Sequence, residues 1–176
     1  MEQKLIWVDL FDHEIGCGEK LETHQKNILH RAFSVFLYSN GRTLIQQRAE
    51  NKYHSGGLWA NSCCSHPRQG EEPLEAADRR MEEELGIPQG TCDLMEIDSF
   101  VYFQQYDGLS EYEFDHVIVG EYYGEIKANS EELQDYRWVT YEALASELME
   151  HPERFAAWFR IAAPKVLKWL KEGNQT

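Results

Sequence analysis

Alternation of apolar and polar positions marks strands in the first third of the chain, and a 3.6-residue repeat marks a helix near its middle. Leu5 to Phe11 reads as a short strand, with Asp12 to Gly18 as the turn that follows it. Arg31 to Tyr38 reads as an aromatic and β-branched strand and runs into Asn40-Gly41, a dipeptide suited to the left-handed backbone of a tight hairpin. Thr43 to Gln47 is its return strand, and Ala49 to Ser62, with Gly56-Gly57, reads as a loop. A helix is expected from Pro73 to Leu85, where Leu74, Ala77, Met81 and Leu85 share one stripe. Pro73 suits its first turn, and Gly86 with Pro88 ends it. Arg80 and Glu84 lie one turn apart along the edge of that stripe. Two or three strands between Asp93 and Ile126, a short strand at Tyr136 to Val139, and helical pieces at Tyr141 to Met149 and Pro152 to Lys171 complete the pattern. Strands mixed with helices predict an α+β sandwich, a single domain over residues 1–176.

Composition changes this picture little: 42% hydrophobic and 27% charged residues in 176 are ordinary for a globular chain. Charge changes it more. A formal net charge of −14 argues against nucleic acid and anionic membrane surfaces as partners. A small anionic substrate remains compatible only if a few cations are gathered in one pocket. The start, Met1 to Trp7, has no apolar run of signal-peptide length, and no stretch approaches the roughly 20 apolar residues of a membrane helix. Cys17, Cys63, Cys64 and Cys92 form no spaced disulfide framework, so a reduced, cytoplasmic setting is expected. The sequence fixes no oligomeric state.

Three segments carry candidate chemistry. Asn61-Ser62-Cys63-Cys64-Ser65-His66-Pro67 sets a thiol two residues from an imidazole. Such a pair serves as a nucleophile or proton-transfer site, as half of a metal site, or as a half-buried thiol beside a surface histidine. In Ser110 to His116, read as a strand, Glu111, Glu113 and Asp115 share one face and Tyr112, Phe114 and His116 the other. Three acids on one face are either a solvated edge or a set of metal ligands or acid–base groups, because crowded carboxylates need a cation. His24 and His30 add two imidazoles. With His66, Glu111 and Glu113 they make a mixed nitrogen and carboxylate set that suits Zn, Mn or Fe.

A further segment, Gly70 to Ile87, resembles the Nudix box, the loop–helix–loop that holds Mg²⁺ on diphosphates. Glu71, Arg79, Met81, Glu83, Glu84, Gly86 and Ile87 fall on box positions, whereas Ser65 replaces the opening Gly and Arg80 replaces a Glu of the metal-binding cluster. A cation at that position weakens Mg²⁺ binding there and offers a handle for phosphate. Together the four segments are similar to the type I isopentenyl-diphosphate δ-isomerase family over Leu5 to Trp158. The resemblance implies a Nudix-like sandwich of mixed β-sheet between helices. It also implies isomerisation of isopentenyl diphosphate to dimethylallyl diphosphate in isoprenoid biosynthesis, by proton addition on one side of the double bond and removal on the other.

By the same resemblance Cys64 and Glu113 are the proton-transfer groups, Tyr102 touches that pair, and the Trp158 indole faces the developing cation. His24, His30, His66, Glu111 and Glu113 would hold a tightly bound Mn²⁺ or Zn²⁺, and Glu84 would help hold Mg²⁺. Lys20, Arg48, Lys52 and Arg80 would contact the diphosphate. Two competitors make different demands. A Nudix hydrolase requires the intact acidic cluster, and Arg80 counts against it. A structural metal module requires a closed site, usually Cys-rich, and unfolds on chelation.

Overall fold

The computed structural model describes residues 3–52 and 54–173. Met1 and Glu2, part of the chain start considered above, and Tyr53 of the 49–62 loop lie outside the described residues. In chain order the first half comprises β1 (Lys4–Val8), β2 (Glu14–Glu19), α1 (Lys20–Gln25), β3 (His30–Ser39), β4 (Arg42–Arg48), β5 (Trp59–Ala60) and β6 (Cys63–Ser65). The second half comprises α2 (Pro73–Leu85), β7 (Leu94–Tyr106), β8 (Leu109–Glu121), β9 (Leu133–Thr140), α3 (Tyr141–Glu150), one 3-10 turn (Pro152–Arg154) and α4 (Ala157–Gly173).

β3 is the hub of the sheet. It runs parallel to β8, from His30 opposite Glu113 to Tyr38 opposite Glu121, and antiparallel to β4 and β6. β7 lies antiparallel on the far side of β8, and β9 and β5 pair with β4. The two-residue period of β3 feeds two cores. Phe33, Val35 and Leu37 pack with Ala76, Ala77, Met81 and Leu85 of α2. Phe36, on the opposite face, packs with Phe159, Ala162 and Ala163 of α4, its ring stacked on Phe159 at 5.7 Å. Each large side chain so buried contributes about 1.5–3 kcal/mol. The sheet therefore lies between helices, as the resemblance implies. No described helix is long and apolar enough to cross a membrane.

α2 begins and ends where its sequence says. Glu72 and Glu75 form a capping box, Pro73 occupies the first turn, and Gly86 closes the helix at φ 68°. A side chain at Gly86 would also approach Lys127 Cβ at 2.7 Å. Leu74 departs from the expected stripe: it is 41% exposed, and Ala76 takes the buried place.

Other departures have local causes. The Asp12 to Gly18 turn is shorter than expected. Asp9 Oδ1 accepts from the Phe11 and His13 amides, Asp12 sits at φ 64°, and β2 resumes at Glu14. Gly16 and Gly18 hide this strand from propensity, yet Trp7 needs them, since a Cβ on Gly18 would lie 2.1 Å from the indole. α1 has no apolar stripe; it buries Thr23 and His24 instead, while Leu21 is exposed. The terminal helix starts at Ala157 and not at Pro152. Phe155 bridges Trp59, and the Ala156 amide donates to Trp59 O at 2.9 Å, which holds the chain extended there.

Candidate active site

The two-residue period of β8 places Glu111, Glu113 and Asp115 on one face, and all three are buried. They are not a solvated edge. His24 of α1, His30 at the start of β3 and His66 just after β6 converge on Glu111, and one ligand atom from each of the four lies within 4.8 Å of the others. Backbone carbonyls fix two of the rings. His24 Nδ1 donates to Lys20 O at 2.6 Å and His30 Nδ1 to Ile28 O at 2.9 Å, which leaves each Nε2 lone pair facing inward. His24 Nε2 then meets Glu111 Oε1 at 2.8 Å, two acceptors that call for a proton or a cation between them.

Electrostatics point the same way. His30 Nε2, His66 Nε2 and Glu111 Oε2 are buried with no hydrogen-bond partner among the described residues. Burial pushes His30 and His66 down to about 3, so both rings are neutral at pH 7. Burial alone would raise Glu111, but its contacts with His24 and His54 outweigh it and hold the carboxyl well below its ordinary range. Neutral imidazoles and an ionised carboxylate, with acceptors unspent, fit a divalent cation. Glu113 stands beside this group. Its Oε1 accepts from the Tyr102 hydroxyl at 3.2 Å and lies 3.8 Å from His66 Nε2.

The short strand β6 separates two adjacent thiols. Cys63 points toward α2, where its thiol donates to Glu84 Oε2 at 2.7 Å. Cys64 points into the cleft, where burial pushes its thiol up to about 12 although Arg48 pulls the other way. The Arg48 guanidinium lies 3.7 Å from Cys64 Sγ and 5.1 Å from the centre of the Trp158 ring. The Trp158 indole nitrogen donates a 2.9 Å hydrogen bond to Asn61 Oδ1, which fixes the ring. Asn61 in turn donates to Val35 O and Cys63 O, and Ser62 Oγ links Leu37 N to Leu44 O, so this motif ties the thiol-bearing strand β6 to β3 and β4.

The cleft measures about 390 Å³, and Lys20, Arg48, Lys52 and Arg80 all line it, together with Glu84. An acidic chain thus gathers cations in one place. Two of them are held by carboxylates. Lys52 contacts Glu132, and Arg80 reaches Glu83 Oε2 at 2.6 Å, Glu84 Oε1 at 3.4 Å and Glu132 Oε2 at 3.3 Å. Arg79, a box position, braces the loop before α2 through a two-pronged bond to Glu71 at 2.8 and 2.9 Å.

The structure therefore brings His24, His30, His66 and Glu111 into one group, with Glu113 and Tyr102 next to it and Cys64, Trp158 and the four cations around the same cleft. Glu84 is not in the histidine group; it lies between Cys63 and Arg80. Sequence reasoning gave no role to His54 or Asn61, and took Asp115 only as one of three acids on a face, without a place in the ligand or catalytic set. Asp115 lines the cleft with Ser34 Oγ donating to its Oδ2 at 2.9 Å, and burial pushes it up to about 7. Its place in the acid run was the available signal. His54 offered none, because it sits in a glycine-bearing loop with no ligand-type residue at a recognisable spacing beside it.

Comparison with known proteins agrees with this geometry. The NUDIX domain family matches residues 28–159. The chain is 46% identical to the isopentenyl-diphosphate Delta-isomerase of Serratia proteamaculans, over 97% of this chain and 98% of that protein. It is 44% identical to the enzyme of the same name from Photobacterium profundum, over 97% and 95%. Among solved structures, DR0079 of Deinococcus radiodurans shares the fold with a TM-score of 0.76 at 19% identity, over 93% of this chain and 98% of that one. A MutT protein from Methanosarcina mazei does so with a TM-score of 0.62 at 18% identity, over 82% and 96%. The chain belongs to the isopentenyl-diphosphate Delta-isomerase family of Nudix-domain proteins.

Proposed function

We propose that this chain, acting as one domain over residues 1–176 in the cytoplasm, converts isopentenyl diphosphate to dimethylallyl diphosphate. The observation that carries the proposal is the meeting, in one cleft, of a protonated thiol, an ionisable carboxylate hydrogen-bonded by a tyrosine, an indole and a cationic wall. Lys20, Arg48, Lys52 and Arg80 bind the diphosphate, by charge-assisted hydrogen bonds in which the arginines offer paired donors. Cys64 keeps its proton at neutral pH and gives it to the terminal methylene carbon. The bond electrons that take this proton leave a tertiary cation on the branched carbon. Trp158 meets that charge with its π face, a contact worth about 2 kcal/mol when desolvated. Glu113, accepting from Tyr102, removes a proton from the neighbouring methylene, and the double bond re-forms one position along.

His24, His30, His66 and Glu111, with Glu113 beside them, would hold Mn²⁺ or Zn²⁺, and Glu84 would share Mg²⁺ with the diphosphate. When bound, such an ion supplies positive charge that keeps nearby carboxylates ionised. Arg80 supports the isomerase over a hydrolase, because its guanidinium fills the centre of the box carboxylates Glu83 and Glu84.

The test is incubation of the metal-replete protein with isopentenyl diphosphate in deuterated water and Mg²⁺, beside Cys64→Ala. Allylic product carrying solvent deuterium, lost in the variant, is expected. No product and no exchange from folded, metal-replete protein would overturn the proposal.

A further inference from the structure

His54 reaches the same carboxylate as the metal-site histidines, but with the opposite polarity. Its Nε2 contacts Glu111 Oε1, and because an ionised carboxylate only accepts, that nitrogen carries the proton. His24 and His30 carry theirs on Nδ1 and turn bare Nε2 atoms inward. His54 is also outside the group of four atoms that lie within 4.8 Å of one another. It is therefore placed as a donor to a ligand and not as a ligand.

The surroundings of His54 hold the ring in that orientation. It stacks on Tyr106 with centroids 4.9 Å apart and planes 20° apart, and meets the Trp158 ring edge-on at 5.8 Å. Its other nitrogen, an acceptor in this tautomer, lies 3.3 Å from Ser55 Oγ, which lies 3.2 Å from the Tyr106 hydroxyl. The backbone commits to the arrangement as well. Ser55 sits at φ 55°, a region costly for a residue with a side chain, and Arg48 donates to His54 O at 3.4 Å.

We propose that His54 is a positioning residue that holds the Glu111 carboxylate toward His24, His30 and His66 through an Nε2–H···O hydrogen bond. The inference rests on the metal site proposed above. A ligating carboxylate that loses such an outer partner gains freedom to rotate, and the site loses affinity. Trp158 shares the His54 contact, so the same loop residue also limits where the indole can move.

The experiment is Co²⁺ titration of the purified, metal-stripped protein, read by visible absorption, for wild type, His54→Phe and His54→Gln. Phe keeps a ring against Tyr106 and has no donor, whereas the Gln amide can donate to Glu111. The Phe variant is expected to bind Co²⁺ about 10–100-fold more weakly with an altered absorption band, and the Gln variant to recover most of the affinity. His54→Ala replaces the Phe variant should that one not fold. Wild-type affinity and an unchanged band in the donor-less variant would overturn the positioning role and leave the proposed function standing. Absence of Co²⁺ binding by wild type itself would overturn both the metal site and this inference.

Discussion

At the histidine end of the cleft, His30 Nε2, His66 Nε2 and Glu111 Oε2 are buried without a hydrogen-bond partner among the described residues. At the cationic end, Lys52 holds Glu132 while Arg80 spans Glu83, Glu84 and Glu132. The first arrangement carries a cost: an unsatisfied buried polar group costs about 1–3 kcal/mol. Its unspent acceptors suit a ligand that carries positive charge, as proposed above. The second is neutralised within itself, so an arriving diphosphate must exchange partners with carboxylates already in place. The first end offers acceptors without a protein partner among the described residues, whereas the second must trade one set of contacts for another.

Four measurements would sharpen or break this contrast. The largest effect is expected from His30→Ala. A four-ligand site of about 10–16 kcal/mol loses on the order of 3 kcal/mol with one ligand, roughly 100-fold in Co²⁺ affinity. The metal-dependent rise in Tm should vanish with it, and an unaltered rise would remove His30 from the site. Arg80→Gln comes next. It should raise KM for isopentenyl diphosphate about 10–100-fold, the value of a hydrogen bond to a charged group, with Co²⁺ affinity unchanged. An equal fall in both would mean that the two ends form one coupled network.

The third measurement is pH dependence of the metal-stripped protein. His30 and His66 have folded values of about 3 against an ordinary 6.5. Their contribution is therefore intact above pH 6.5 and is lost as pH falls from there toward 3, because the unfolded chain takes up protons that the folded one refuses. Stability should fall by on the order of 1 kcal/mol per pH unit for each ring. A His30→Gln, His66→Gln double variant should show a flatter profile over that range. The smallest effect is expected from Glu132→Gln, which releases Lys52 and removes one of the three carboxylates on Arg80, and should lower KM by a factor of about 2–5, in line with a partly exposed pair. A higher KM would show that Glu132 helps to place those cations.

How much of this was legible in the sequence follows from where the information sits. α2 was readable to its ends because Pro73, Gly86 and the apolar spacing all act locally. The acid face of β8 was readable because a strand alternates whatever its neighbours, yet nothing local says that β3 lies parallel to it and sets His30 opposite Glu113. β2 was hidden because Gly16 and Gly18 are selected by Trp7, a partner across the hairpin. α1 was hidden because it buries a histidine and a threonine where the eye looks for leucines. His54 was invisible for the same kind of reason: its chemistry comes from Glu111, 57 positions away in the chain.

The neighbouring cysteines of β6 carry one more consequence, for survival under oxidants. Peroxides attack thiolates, and burial keeps both sulfurs as thiols, with Cys64 up at about 12 and Cys63 well above its ordinary value. Cys63 and Cys64 also stand on opposite sides of a strand paired residue by residue with Val35 and Ser34. To bridge to each other they would have to give up that pairing. The fold thus disfavours a bridge between two adjacent sulfurs, a consequence of the two-residue period of a strand.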